Sequence, residues 1–134
     1  MRITKTALQN YTLELLPHRY QRKESIFDWF VRVVCNRTGY SINGQLQDIV
    51  NHGCVSGCVG EIVYTADCIS LYRKYEKSIW DMVEEFRDST GQTLGQFIDS
   101  FCSTIEDEDT LKVYLCWFAV EQIAYQILSH FGEV

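Results

Sequence analysis

Four soft donors, His52, Cys54, Cys58 and Cys68, fall within seventeen residues of a 134-residue chain, enough in number for a Cys3His zinc site. Their spacing argues against one. Structural zinc sites draw ligands in pairs about two to four residues apart on turns. Here Cys54 and Cys58 stand one helical turn apart in an apolar stretch, where cysteine serves as a small hydrophobe. A disulfide between the two is disfavoured as well, because side chains at i and i+4 of a helix diverge. A second grouping centres on Glu121, which shares one side of an apolar helix with Trp117, Ala124 and Leu128. A buried carboxylate needs partners, and His52, Tyr64 and Asp67 can supply a hydrogen bond or a charge if their segment packs on that helix. The four residues read as a buried polar network. General acid–base chemistry would need a second carboxylate in the same cleft.

Other reaction signatures are missing. The chain has no Gly-x-Ser-x-Gly elbow, no phosphate-binding Gly-x4-Gly-Lys loop, no Gly-x-Gly-x-x-Gly, no His-Glu-x-x-His and no deaminase-type His-x-Glu with Pro-Cys-x-x-Cys. No catalytic residue, metal or cofactor is therefore expected, and the chain reads as a binding protein rather than an enzyme.

Charge is the feature that points outward. Between Asp81 and Asp109 nine acidic residues are set against one base, Arg87, a formal −8 within a chain of net charge −6. Residues 1–40 carry seven bases against three acids, and residues 41–66 hold only Asp48 and Glu61. Such polarity biases a small protein toward a basic partner and a salt-sensitive encounter. The candidate partner-binding residues are Asp81, Glu84, Glu85, Asp88, Glu106, Asp107, Glu108 and Asp109. They suit a protein or nucleoprotein with a basic surface, including a cleft lined with lysine and arginine for phosphates, and they argue against direct binding of nucleic acid. The competing reading is a solvated face that keeps the protein soluble. The basic run His18–Lys23 reads as a solvated loop.

The elements that must position these residues are helical. Ala7, Leu8, Tyr11 and Leu15 share a face, and Pro17 closes that segment. Ile26, Phe27, Phe30, Val31 and Val34 define a second helix from about Glu24 to Thr38, with Gly39 as its left-handed cap. Ser41 caps a third, ending near Asn51. At the start of the segment Cys54–Ala66 and just before it, Gly53, Ser56, Gly57 and Gly60 recur at i, i+3, i+4 and i+7, a stripe along which another helix can approach closely. Asp67 is placed to cap a long helix with the face Leu71, Tyr72, Tyr75, Ile79, Met82, Val83 and Phe86, ending near Gly91. Thr93 caps a short helix carrying Leu94, Phe97, Ile98 and Phe101. The acids at 106–109 then suit the N-terminal dipole of a last helix, apolar almost all round, which ends before Gly132 and forms the centre of the bundle. Period-two alternation is lacking throughout. An all-α, compact single-domain bundle of six or seven helices follows, with basic N-terminal helices at 1–40 packed on a core of residues 41–134. No apolar run is long enough to span a membrane and the first residues lack a secretory pattern, so the cytosol and reduced thiols are expected.

Three stretches carry a resemblance: His52-Gly53-Cys54-Val55-Ser56-Gly57, then Tyr64, Asp67, Tyr72 and Tyr75, and finally Leu115-Cys116-Trp117-Phe118-Ala119-Val120-Glu121. Over residues 52–128 the chain resembles a family of small, uncharacterised proteins encoded by bacteriophages and mobile elements. The resemblance supplies no catalytic residues. It implies a viral setting in which accessory proteins of this size bind and block host machinery, as anti-CRISPR and anti-restriction inhibitors do. The expectation is a non-catalytic inhibitor of a host nucleic-acid-directed defence complex, acting through an acidic surface. The alternatives are a small metal-dependent or hydrolytic enzyme centred on His52 and Glu121, and a homo-oligomeric structural or regulatory protein, such as a homodimer joined through the glycine stripe.

Overall fold

A computed structural model describes residues 2–15, 25–52, 65–101 and 108–133, and within them there are six helices and no strand. They are α1 (Lys5–Glu14), α2 (Ile26–Asn36), α3 (Ile42–His52), α4 (Thr65–Thr90), α5 (Leu94–Phe101) and α6 (Glu108–His130). The all-α expectation holds.

Local chemistry sets most of the boundaries. At the start of α1, Thr4 accepts the Ala7 amide at 3.1 Å, and before α3 the Ser41 hydroxyl accepts Gly44 N–H at 2.9 Å. Two helices open on reciprocal boxes. Ser25 and Asp28 exchange side-chain and backbone bonds ahead of α2, and Thr93 and Gln96 do the same ahead of α5. Glycine ends two others. Gly91, at φ +72°, donates its N–H to Arg87 C=O at 2.8 Å and closes α4. Gly132, at the same φ, donates to Ser129 C=O while Glu133 N–H reaches back to Leu128 C=O, closing α6 with a Schellman motif.

Three sequence expectations need correction or limits. The second helix ends not on a left-handed Gly39 but on Arg37, whose extended backbone (φ −75°, ψ 128°) leaves the helix while its N–H still bonds Val33 C=O. Gly39 takes its positive φ of 85° two residues later, in the turn toward α3. Asp67 is not the cap of the long helix: α4 has already begun at Thr65, so Asp67 lies in its first turn. The glycine stripe from Gly53 to Gly60, with Cys54 and Cys58, lies outside the described residues, as does Pro17.

Helix α6 is the axis of the core. Nine of its residues are buried, from Val113 to Leu128, and α2, α3 and α4 all pack against it. One continuous apolar cluster joins them to Leu8 and Tyr11 of α1 and Phe97 of α5. Tyr11 fastens α1 to the far end of α6. Its ring stacks on His130 at 3.8 Å between centroids and its hydroxyl accepts the Gln126 amide at 3.1 Å.

The long helix α4 bends where its backbone leaves helical geometry, at Tyr75 (φ −117°, ψ 23°). Three residues on, Ser78 occupies the bend. Its hydroxyl donates to Tyr75 C=O at 3.0 Å and accepts Ile26 N–H at 3.1 Å, one of the amides that α2 leaves unpaired at its start. A single buried oxygen thus ties the bend in α4 to the N-terminus of α2.

Candidate interaction surface

Helices α4 and α6 run in the same direction: the charge of Glu108 bears on Tyr72 near their starts, and further along the rings of Phe86 and Phe118 meet at 5.2 Å. Phe97 of α5 completes a three-ring cluster, 4.8 Å from Phe118 and 5.7 Å from Phe86. That cluster packs the C-terminal half of α4 against the middle of α6. Beside it opens a groove of about 410 Å³. Its α4 wall is Met82, Glu85, Phe86 and Ser89, and its α6 wall is Gln122, Tyr125, Gln126 and Ser129. Each wall has the spacing i, i+3, i+4, i+7, the stripe that one helix offers to another. Tyr125 is 40% exposed although aromatic.

The acids of α4 repeat that spacing one position earlier. Asp81, Glu84, Glu85 and Asp88 form the adjoining stripe, with Glu84, Glu85 and Asp88 exposed and Asp81 half-buried. Glu85 belongs to both stripes and puts a carboxylate on the groove's rim. Arg87 pairs with Glu84 at 2.9 Å, i to i+3 on the surface, and also donates from Nε to Gln92 C=O. Such an exposed pair contributes about 0–1 kcal/mol.

The remaining predicted acids sit elsewhere on the bundle. Glu108 and Asp109 are exposed in the first turn of α6, Asp109 with Lys112 at 3.7 Å. They lie level with Tyr72, twelve residues before Glu84, which is roughly 18 Å along a helix. The described acids therefore fall at two levels rather than in one cluster. Glu106 and Asp107 lie outside the described residues.

The predicted polar network is only partly in view. Tyr64 lies outside the described residues, and His52 and Asp67 are placed by backbone alone, at the end of α3 and the start of α4. Glu121 is half-buried on α6, and burial pushes its carboxyl above the usual value. No hydrogen bond or ion pair reaches it among the described residues. Of the cysteines, Cys68 and Cys116 are buried and Cys35 is half-buried, its thiol raised by burial against the lowering influence of Lys5, while Cys54, Cys58 and Cys102 lie outside the described residues. Among the described residues no cluster of three metal-ligating side chains forms.

Two polar arrangements escaped the sequence. Trp80 Nε1 donates to the Tyr72 hydroxyl at 2.8 Å, and that hydroxyl donates to Glu76 at 3.4 Å. Burial raises the Tyr72 phenol, the indole N–H opposes this, and the charges of Glu76 and Glu108 add to the rise. Gln45, fully buried, donates from Nε2 to Val34 C=O at 3.1 Å and links α3 to α2. Glu76 at i+4 from Tyr72 was a visible signal; nothing marked Gln45 as interior.

Residues 23–133 match a family described as a domain of unknown function, DUF7222. The chain belongs to the DUF7222 family. An uncharacterised family is what the resemblance implied, and the DUF7222 match extends further than residues 52–128, taking in α2 and α3 and leaving α1 ahead of it. No curated protein and no solved structure matches the chain. Among the described residues no helix is long and apolar enough to cross a membrane.

Proposed function

We propose that the protein is a non-catalytic binding protein that docks on a basic surface of a host protein or nucleoprotein through the acidic stripe of α4. The observation that carries this reading is the stripe's composition. Asp81, Glu84, Glu85 and Asp88 stand at i, i+3, i+4 and i+7, so that like charges are neighbours along the helix; Lys77, one turn before Asp81, and Arg87, paired with Glu84, are the bases on this part of α4, and the stripe from Glu84 to Asp88 stays net acidic. Each like-charged i, i+3 or i, i+4 pair costs a helix about 0.2–0.5 kcal/mol. A surface that accepts this cost beside an open groove is suited to complementary charge on a partner. Glu108 and Asp109 extend the negative field at a second level. The resemblance to proteins of phages and mobile elements extends the proposal to inhibition of a nucleic-acid-directed defence complex. Affinity capture from host cells tests it, with nucleic acid digested beforehand. A basic protein or complex retained by the wild-type chain and lost when the acids of α4 are reversed supports the reading. Retention that ignores reversal refutes it.

One observation favours a second reading. Glu121 is a half-buried carboxyl with a raised pKa and no polar partner among the described residues, and such groups mark acid–base sites as well as structural ones. Metal analysis of the purified protein together with Glu121→Gln decides it: bound metal, or loss of biological activity with the fold intact, would move the functional centre to this side chain.

A further inference from the structure

We infer that the α4–α6 groove receives a short amphipathic helix of the partner protein, one that inserts apolar side chains between the walls and presents a lysine or arginine to Glu85. The inference rests on the acidic-docking reading and specifies what the partner brings. Because α4 and α6 run the same way, their two i, i+3, i+4, i+7 stripes lie level, and a third helix can lay its own ridge along the trough they form. The stripes span about two turns, roughly 10 Å, so the occupant needs only two to three turns. The trough is graded along its length. Met82 and Gln122 are large at one end, whereas both walls finish in serine, Ser89 and Ser129, at the other. Ser89 turns its hydroxyl back to Phe86 C=O at 2.8 Å and takes up little space. The serine end therefore has room for a bulky apolar residue, received beside Phe86 and the half-exposed Tyr125. Methionine at the other end adapts its shape to what it meets.

Charge fixes the remaining feature. On the α4 side Glu85 stands on the rim with Asp88 and Glu84 beyond it, whereas the lining residues of the α6 wall are uncharged, the nearest acid on that helix being the half-buried Glu121. A basic residue flanking the apolar ridge is thereby directed to the α4 side, which sets how the incoming helix is rotated. A second copy of this chain and nucleic acid are the competing occupants.

The test uses the full chain and a stapled helical peptide of fourteen residues, with leucine at two ridge positions, phenylalanine at a third and lysines on one flank. A second peptide carries glutamate in place of lysine. Amide resonances of the 15N-labelled protein report the site, and anisotropy reports affinity. The lysine peptide is expected to shift residues 82–89 and 122–129 and to bind at least about tenfold more tightly than the glutamate peptide. Ser129→Trp, a change at an exposed position that fills the serine end, is expected to weaken binding about tenfold or more. Ser89→Trp does the same from the other wall, and circular dichroism verifies the fold of each variant. Equal binding of both peptides, shifts elsewhere, no binding, or indifference to both tryptophans overturns the inference. So does self-association or oligonucleotide binding that moves the same resonances while the lysine peptide does not. The two readings fail separately. Reversal of Glu84 and Asp88, outside the groove, abolishing partner capture while the lysine peptide leaves the groove untouched, removes the helix and keeps the acidic surface. Tryptophan-sensitive binding of the lysine peptide, with partner capture unmoved by that reversal, removes the acidic-surface reading and leaves the groove a helix site.

Discussion

Replacing Ser78 with alanine removes a single oxygen and, with it, both bonds at the bend of α4. Ile26 is fully buried, so its N–H, now 3.1 Å from the serine oxygen, would be left without that acceptor inside the protein. A buried donor stranded in this way costs about 1–3 kcal/mol. Loss of the 3.0 Å bond to Tyr75 C=O adds about 0.5–1.5 kcal/mol, while the change of shape is too small to leave a significant cavity. The expected loss is therefore about 2–4 kcal/mol, a large share of the roughly 5–15 kcal/mol available to a domain of this kind. Urea unfolding followed by circular dichroism reads it directly. With a slope of about 2 kcal/mol per molar, the midpoint should fall by roughly 1–2 M with the slope unchanged. Ser129→Ala, at an exposed position of α6, provides the control and should leave the midpoint in place. A Ser78→Ala midpoint shift equivalent to less than about 0.5 kcal/mol would show that the bend does not depend on this oxygen.

Glu121→Gln is expected to stabilise the protein at pH 7 and to have no effect below about pH 4. The carboxyl is raised in the fold, so the stability it allows is fully present while it is protonated and is lost as pH rises through its folded value; thermal melts of both proteins across this range check the sign. Phe97→Ala empties the centre of the three-ring cluster at a residue 1% exposed and should cost about 3–5 kcal/mol in denaturant unfolding, with loss of the aromatic near-ultraviolet signal. Gly91→Ala has open space for its methyl group but forces a side chain into φ +72°, so it should cost about 1–2 kcal/mol, and Gly91→Asn less. Equal melting temperatures for the two Gly91 variants would contradict that backbone account.

What could be read from the sequence was what depends on neighbours in the chain. Thr93, Ser41, Gly91 and Gly132 act within four residues of themselves, and each marks a helix end as expected. The apolar pattern of α6 identified the central helix because three neighbouring helices pack on it, although its C-terminal half is not apolar all round and leaves Tyr125, Gln126 and Ser129 exposed. Gly39 misled because a glycine near a helix end can serve the following turn as well as the cap, and Arg37 had already taken the chain out of the helix. Asp67 misled because a capping residue type also fits the first turn, where a carboxylate meets the same dipole. Ser78 was beyond reach: its partner Ile26 is fifty-two residues away, and only the packing of α4 on α2 brings them together. The acidic stripe was visible in composition and its spacing was present in the letters. Its groove was not, because Tyr125 and Gln122 become its far wall only once α6 lies alongside α4. Glu121 stood out from its apolar neighbours, Trp117, Ala124 and Leu128; in the structure it is half-buried rather than buried.

The central claim is that the carboxylates of α4 create a docking surface for positive charge. It is tested most directly by the salt dependence of binding between the purified protein and its captured partner, for the wild type and for E84K/E85K/D88K. The wild-type affinity should fall steeply between about 50 and 500 mM salt, since exposed charges are screened over that range, and the triple variant should bind weakly with a flattened or inverted slope. Superimposable salt profiles for the two proteins would contradict the claim.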